Sequence, residues 1–584
     1  MSVNIIGISA LYHDSACCIL CDGVLKAAAQ EERFTRKKHD PSMPYHAFRY
    51  CLEQAGLDIT DIDYVAYYEN PVKKLSRQLW SRHYTGNEDL MIKLSPRRPE
   101  MEMRDLLGYE GPIKMYDHHR SHAASAYYYS GFDDSAIFTV DGVGEWATTT
   151  YGVGSGVRID MLEEVHFPHS IGLLYSAITN YLGFEVNEGE YKVMGLAPYG
   201  KPLYTQQIRQ LIHMDPKGQF RLEMKYYDFM EGKRMFSDVL CELFGRPQRQ
   251  PESRLDQFEA DVAKSLQVVL EEILLQKAEY LYDITRMDNL CMAGGVALNC
   301  VANGNILRKG PFRKLFVQPA ANDSGCALGA AALAYVDATG RRPQNEQLTH
   351  VYLGPAYDNN SIANILEATS FKVMDYRNDE EGLLRKTARL LADGKVIGWF
   401  HGRMEFGPRS LGARSILADP RDPGMRDKIN RMVKKREGFR PFAPAVLEEA
   451  AFEYFDLDHI SPFMLETCRV TSGLDLPAIT HVDGSARVQT VSDATNPRFA
   501  GLLRQFCLLT GCPILLNTSF NVRGEPIVCS PEDALKCFIT TEIDFLVLQD
   551  FIICRTENEF DLMAWMISLE NSAFTITHDV YTFV

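Results

Sequence analysis

Three histidines fall within five residues in the stretch DHHRSHAASAYY, Asp117–Tyr128. The small and aromatic residues that follow favour a helix, with a start expected near His119. On a helix His118 and His122 are four apart and face the same way; His119 and His122, three apart, nearly do. Two imidazoles at that spacing form a chelating pair. Zinc proteases place a Glu directly after the first His of such a pair, and here that position is His119. A metal would need further ligands. Asp141 in TVDGVG and Asp323 in ANDSG each follow an apolar strand, where a buried carboxylate requires a partner. A set of two His and two Asp suits iron, manganese or zinc better than a soft metal. The spacing alone is equally compatible with histidines that cap and solvate a helix start.

A second group of candidates is cationic. The segment His401–Arg440 carries eleven Lys or Arg against five Asp or Glu, in a chain whose net charge is −16. A solvated basic face is the plain alternative. Against it, the charges are interleaved with Gly, Pro and Phe (EFGPRSLGARS, EGFRPFAP) rather than set at helical spacing. Arg offers a planar fork for phosphate or carboxylate and Lys a point charge, so the block reads as a pocket for a polyphosphate or phosphoryl donor. ILLNTSFNVRGEP ends a strand in Asn517, Thr518 and Ser519, polar groups placed to meet a ligand at a strand's carboxyl end.

Three loops could cradle phosphate. SALYHDSA and DGVGEWAT, the latter with Gly142 and Gly144, each follow a strand and turn back into one. Hairpin loops of this kind present backbone N–H groups, and Gly allows close approach. MAGGVALNCVANG places Gly294 and Gly295 before a helix start, a site for a ribose or phosphate. In this order the loops fit the ATP cleft shared by actin, the heat-shock chaperone ATPases and the sugar kinases.

The elements that must position these groups follow from patterning. NIIGISALYHDSACCILCDGVLKAAAQ reads as strand, polar loop, strand, Asp22-Gly23 turn, strand. SAIFTVDGVGEWATTTYGVGSG repeats the scheme, so a duplicated α/β fold is expected. A long amphipathic helix is expected over about Leu255–Asp283. Around Ala338–Pro355 the sequence turns polar and loses periodicity, which predicts a domain boundary. Beyond it helix and strand alternate again. The basic and aromatic stretch Asn70–Glu110 reads as a helical insertion.

Bulk properties narrow the class. With 584 residues two or more domains are expected. The acidic balance argues against bulk electrostatic binding of nucleic acid. No stretch of 18 apolar residues predicts a membrane span. The start MSVNIIGISALYH lacks a basic n-region and a long apolar h-region, so a cytoplasmic location is expected. Fourteen scattered cysteines read as small buried hydrophobes. Cys18 and Cys21 form a CxxC in an alternating strand, which sends them to opposite faces, and no second CxxC completes a zinc site.

GISALYHDSA, AAQEERFTRKKHD, DHHRSHAASAYY, TVDGVGEW, VMGLAPYG, GGVALN, EFGPRSLGARSILADPR and LNTSFNVRGEPIV span nearly the whole chain. In this order they resemble the O-carbamoyltransferases of the NodU/CmcH family, which modify nodulation factors, cephamycins, aminoglycosides and ansamycins. The resemblance implies an α/β protein of two modules. Residues 1–350 would form a duplicated actin-like ATPase (ASKHA) fold, similar to the universal tRNA threonylcarbamoyl-transfer protein with its His/Asp-bound iron. Residues 351–584 would form a YrdC-like α/β domain.

By this resemblance carbamoyl phosphate and ATP give carbamoyl-adenylate in the second module. The first module then passes the carbamoyl group to a hydroxyl of a small-molecule acceptor, a natural product by family. The resemblance assigns Arg409, Lys434, Arg440, Arg487, Asn517 and Ser519 to carbamoyl phosphate and the adenylate, with Arg409 and Lys434 catalytic. Arg403 and Arg414 are alternates, and because Lys435 and Arg436 follow Lys434, its alignment could slip by one. It assigns His118, His122, Asp141 and Asp323 to the metal, as iron with manganese or zinc as alternatives. Asp141, Gly142, Gly144, Gly294, Gly295, Asn299 and Asp323 would line the site of Mg-ATP. His13 would take the proton from the acceptor hydroxyl; a loop histidine bonded to backbone is the alternative. Expected partners are ATP, carbamoyl phosphate and the acceptor, without nucleic acid or membrane, and with a homodimer as one assembly. Two rivals carry distinct signatures: a tRNA-modifying enzyme would bind tRNA in a salt-dependent way, and an actin-like assembly ATPase would turn over ATP without carbamoyl phosphate.

Overall fold

The structure is a computed structural model describing residues 2–81, 94–230, 234–344, 347–369, 371–434, 437–558, 560, 563 and 567. Contacts divide it into two units. Among the described residues the first holds those up to Glu32 and His39–Leu348; the second holds Arg33–Lys38 and those from Thr349.

Unit 1 contains two five-stranded sheets. The first is built from β1 (Asn4–Ser9), β2 (Ala16–Cys21), β3 (Val24–Gln30), β4 (Tyr64–Tyr67) and β5 (Ile113–Met115). Asp22 and Gly23, with φ of 50° and 80°, make the tight turn that joins β2 to β3. Helix α1 (Pro71–Trp80) follows β4, and α2 (His118–Tyr127) follows β5. The second sheet is built from β6 (Asp134–Val140), β7 (Ala147–Ser155), β8 (Arg158–His166), β9 (Asn289–Ala293) and β10 (Lys314–Val317).

The strand orders are β3-β2-β1-β4-β5 and β8-β7-β6-β9-β10. In both, the first three strands pair antiparallel and the last two join in parallel. The duplication expected from the repeated strand–loop–strand pattern is therefore complete, and unit 1 has the actin-like arrangement. Between β8 and β9 lies α3 (Gln257–Thr285), capped by Asp256 with a reciprocal bond from Glu259. It starts and ends two residues later than expected. α4 (Cys300–Lys309) and α5 (Asp323–Thr339) complete the second repeat.

The repeats exchange helices. α2 leaves the first sheet and packs on β6, β7 and β9 of the second, whereas α5 leaves the second sheet and packs on β1, β2 and β4 of the first. α2 and α5 also pack on each other. Small residues in DSGCALGAAALA permit the close crossing: a Cβ on Gly329 would lie 1.8 Å from the Ser121 carbonyl oxygen. Gly329→Ala should therefore force the helices apart and destabilise unit 1 by about 3 kcal/mol or more. A fall in melting temperature measured by circular dichroism checks this; an unchanged melting temperature would mean that the crossing relaxes freely.

Unit 2 is an α/β domain around one mixed eight-stranded sheet. Its strands are β11 (Val373–Asp375), β12 (Ile397–Phe400), β13 (Arg414–Ala418), β14 (Ala443–Leu447), β15 (Gln489–Val491), β16 (Ile514–Ser519), β17 (Phe545–Leu548) and β18 (Phe551–Cys554), in the order β11-β18-β17-β12-β13-β16-β14-β15. The alternating helices α6 (Glu380–Ala392) and α7 (Pro497–Thr510) pack together. Trp399 is wholly buried in the core, its Nε1 donating to the Gly412 carbonyl at 2.9 Å.

A short piece of the N-terminal sequence belongs here. Arg33 donates to the Gly407 carbonyl at 2.9 Å, and Arg36 donates to the carbonyls of Pro526 and Ile527 at 2.8 and 2.7 Å. The part of the Asn70–Glu110 insertion that is described is helical over Pro71–Trp80 and Arg98–Asp105; 82–93 lie outside the described residues. All fourteen cysteines are free thiols. Among the described residues no helix is long and apolar enough to cross a membrane.

Candidate functional site

The second sheet's leading strand β6 ends at Val140, and Asp141 is the first residue of the loop that turns into β7. α2 starts at His118, one residue before the expected position, with Asp117 at its N-cap. α5 starts at Asp323. These three element ends bring His118, His122, Asp141 and Asp323 together, one donor atom from each lying within 4.8 Å of the others. All four are buried. His118 Nε2 lies 3.1 Å from Asp141 Oδ2 and 3.7 Å from Asp323 Oδ1. His122 Nε2 lies 3.6 Å from Asp141 Oδ2 and 3.7 Å from Asp323 Oδ1.

The hydrogen bonding of this cluster fits a cation. Neither ring nitrogen of His122 and neither oxygen of Asp323 has a hydrogen-bond partner, although all four atoms are shielded from solvent. Buried polar atoms without partners are costly. Two imidazoles and two carboxylates that converge on one another with unused lone pairs are a fitting donor set for a hard or borderline divalent ion. Burial alone would raise the pKa of Asp141, but His118 and His122 hold it well below the usual carboxylate range.

The surrounding residues orient the donors. The His118 backbone N–H donates to both oxygens of Glu145, at 2.9 and 3.2 Å, and the Asn70 N–H reaches the same carboxylate at 2.6 Å. His119 faces away: its Nδ1 is 2.6 Å from Thr139 Oγ1, and burial beside His118 and His122 keeps its pKa well below 6.5. Cys326, one helical turn after Asp323, can join His118 and His122 as an alternative donor; burial pushes its thiol up to about 12, against the pull of His122. Glu145 and Cys326 were not singled out in the sequence. Glu145 sits inside the quoted DGVGEW motif, and Cys326 stands at the helical i+3 position from Asp323, so both carried a signal.

Of the phosphate-loop residues, Gly295 donates its N–H to Asp141 Oδ1 at 2.8 Å. Gly294 has φ +97° and lies so near β6 that a Cβ would fall 2.2 Å from the Val140 carbonyl oxygen, so the position admits only glycine. A Cβ on Gly144 would crowd His118 at 2.9 Å, whereas Gly142 faces open space. Asn299 is otherwise engaged. Its Oδ1 accepts from the Ala302 N–H that starts α4, and its amide pairs reciprocally with that of Gln267.

His13, on the β1–β2 loop, is bonded to a carboxylate rather than to backbone. Its Nδ1 is 3.0 Å from Asp14 Oδ2 and its Nε2 is 3.9 Å from Asp323 Oδ2. Burial disfavours its charge, yet Asp323, Asp14 and Asp141 outweigh that and raise its pKa to about 9.

Unit 2 assembles the second set. Lys434 ends a π-helical turn, Asn430–Lys434, at the close of the basic block. It is 3% exposed, and its Nζ donates to the carbonyl and hydroxyl oxygens of Ser519 (2.5 and 3.2 Å) and to the carbonyl and Oδ1 of Asn521 (3.1 and 2.8 Å). Lys435 and Arg436 lie outside the described residues. Asn517, opposite Leu417 and Ala443 in the sheet, donates to Gln489 Oε1 at 2.8 Å and to the Ser410 carbonyl. Ser410 adjoins Arg409, so Lys434, Ser519, Asn517 and the Arg409 segment meet around the end of β16. Arg440 is half-buried with Glu437 at 3.6 Å. Arg487 is half-buried with its Nε unbonded, near enough to help lower the His481 pKa to about 4, an effect led by burial.

The alternates differ from these. Arg414 is fully buried, donates to the carbonyls of His401, Gly402, Ala413 and Pro355, and lies 3.6 Å over the Phe400 ring. Arg403 donates to Leu353 and Gly354. Both brace the loops. Asn521, two residues beyond Ser519 in the same motif, joins Ser519 in fixing Lys434.

Unit 1 is a duplicated actin-like fold with a buried His/Asp cluster, and unit 2 is an α/β domain that carries the basic segment His401–Arg440. Comparison with known families gives that combination its class. The carbamoyltransferase N-terminal family matches residues 4–332 and the carbamoyltransferase C-terminal family residues 388–555. An uncharacterized protein of Synechocystis is 46% identical over 95% of this chain and 97% of its own length. The nodulation protein NolNO of Sinorhizobium fredii is 40% identical, covering 98% and 83%. The 3'-hydroxymethylcephem-O-carbamoyltransferase of Amycolatopsis lactamdurans is 37% identical over 46% of this chain and 49% of its own. The chain belongs to the carbamoyltransferase family.

Proposed function

We propose that the chain is an ATP-dependent O-carbamoyltransferase acting on a hydroxyl of a small natural product. One observation carries the reading: four converging, buried metal-type donors, with both nitrogens of His122 and both oxygens of Asp323 unbonded. The cephem-modifying relative supports transfer to oxygen.

In this reading unit 2 is the YrdC-like adenylating module. Water releases phosphate from carbamoyl phosphate, the carbamate oxygen attacks the α-phosphorus of Mg-ATP, and pyrophosphate leaves. The water supplies the oxygen that balances release of both phosphate and pyrophosphate. Lys434 and Arg409 counter the negative charge that builds on the phosphates, with Arg440 and Arg487 as further cationic contacts. Asn517 and Ser519 position the donor at the end of β16.

Unit 1 then joins the carbamoyl carbon to the acceptor oxygen, and AMP leaves. His118, His122, Asp141 and Asp323 would hold iron, manganese or zinc, which supplies Lewis-acid chemistry and a template for phosphate or hydroxyl oxygen. His13 takes the hydroxyl proton at Nε2. It can do so only as the neutral imidazole, so the charge of Asp141 and Asp323 must be neutralised before it serves as a base. Gly294 and Gly295 offer the close backbone approach that a nucleotide needs.

The test is incubation with ATP and labelled carbamoyl phosphate. Pyrophosphate release that requires carbamoyl phosphate is the expected result. Release that proceeds equally without it would falsify the reading and favour an actin-like ATPase.

A further inference from the structure

A buried cation of unit 1, Arg77, makes no ion pair among the described residues. Arg77, in the last turns of α1, is only 3% exposed. Its Nε has no hydrogen-bond partner, and the guanidinium makes no ion pair among the described residues. The Phe167 ring lies 5.4 Å away. The acids in reach are held elsewhere. Glu69 binds Lys74 Nζ at 2.8 Å, and Glu145 binds the backbone of Asn70 and His118. Burial pulls the Arg77 pKa below its usual value while Tyr12, Glu69 and Glu145 act the other way, so the group stays cationic. A buried charge without a hydrogen-bonded counter-charge costs several kcal/mol. Such a cost marks a site where something else supplies the counter-charge.

The position is informative. Tyr12, whose ring lies under Lys74 and interacts with Arg77, adjoins His13, with the two rings 4.4 Å apart. Glu145 links α1 to the first residue of α2. Arg77 therefore belongs to the wall that carries the His13 loop and the start of the metal-ligand helix. Trp80, half exposed, packs on Trp146 at 5.6 Å and on Phe167 at 6.3 Å, and Trp146 Nε1 donates to Ser76 at 2.8 Å. The guanidinium thus lies beside the Phe167 ring, on which Trp80 packs.

We propose that Arg77 forms a subsite that binds the phosphoryl oxygens of a nucleoside monophosphate during carbamoyl transfer. A guanidinium fork matches two oxygens of one phosphate. Transfer breaks the bond between the carbamoyl carbon and a phosphate oxygen, and AMP departs with the electron pair and a new negative charge. A fixed cation at that oxygen stabilises the departing group. The anion subsite stands on the geometry of Arg77; the nucleotide as its source rests on the proposed reaction.

The test compares metal-loaded full-length protein carrying Lys434→Ala, which weakens phosphate binding in unit 2, with the same protein carrying Arg77→Met or Arg77→Lys in addition. Without ligand, Arg77→Met should melt at the same or a higher temperature, because no polar bond is lost. In titration calorimetry its affinity for AMP should fall about tenfold or more, with Arg77→Lys between the two. Inorganic phosphate is the second probe. Weakening of both ligands, or of AMP alone, supports the subsite. Weakening of inorganic phosphate alone overturns the nucleotide source. Unchanged affinities, or a lower melting temperature with AMP binding intact, overturn the subsite and make Arg77 a structural residue. Should Arg77→Met fail to fold, Arg77→Lys gives the same reading. Arg77-dependent AMP binding in a protein without carbamoyl-phosphate-dependent pyrophosphate release would keep the subsite and remove the proposed reaction.

Discussion

Lys434→Ala should lower carbamoyl-phosphate-dependent pyrophosphate release by about 10²–10³-fold or more, the cost of removing one preorganised donor from a developing anion. The expectation follows from how the ammonium group is held. Four oxygens from Ser519 and Asn521 surround Nζ at 2.5–3.2 Å, so its position is set before any substrate arrives. The π-helical turn that carries it adds a second constraint. Lys434→Arg keeps the charge but cannot place a planar fork where a compact ammonium fits, so it should recover little. Asn521→Ala leaves the charge present and loosens it, and should lower kcat more than it raises KM. Release at the wild-type rate in Lys434→Ala would assign the donor role to another cation of the block.

His122→Ala should have the opposite profile. Metal analysis of the purified variant should find the ion depleted about 10–100-fold in affinity or worse, as loss of a direct donor must exceed loss of a supporting one. Carbamoyl transfer to the acceptor should be lost, while pyrophosphate release should continue. Chelation of the wild-type protein should give the same split. Restoring iron, manganese or zinc one at a time then identifies the ion, which the donor set alone does not select. If His122→Ala or chelation stops pyrophosphate release as completely as transfer, the assignment of one half-reaction to each unit is wrong.

Much of this was legible in the sequence, for reasons that can be named. The turn at Asp22-Gly23 and the recurrence at Asp141-Gly142 announced the duplication, because tight turns demand particular residues. The chelating pair was visible because helical spacing puts His118 and His122 on one face. Asp141 was legible as a carboxylate at a strand end, and Asp323, expected just after a strand, opens α5 instead. What stayed hidden depends on contacts between distant residues. No pattern in EERFTRKKHD tells that Arg33 and Arg36 bond to carbonyls near residues 407 and 527. Likewise, Arg414 and Lys434 look alike in the basic block. Only the fold shows that the first is wrapped in backbone carbonyls and the second faces Ser519 and Asn521. Arg77 escaped notice because an arginine in a basic helix looks solvated until its burial is known.

The exchange of α2 and α5 between the two sheets has a mechanical corollary. His118 and His122 ride on the helix packed against the second sheet, together with Asp141 from the end of that sheet's central strand. Asp323 rides on the helix packed against the first. A movement that parts the two halves of unit 1 must draw Asp323 away from the other three. An ion held by all four residues would therefore act as a latch that ties the halves shut, and hinge opening and ion release would become a single event. Occupancy of the metal should then slow the breathing of unit 1 as seen by hydrogen exchange, most of all at the Gly329–Ser121 crossing.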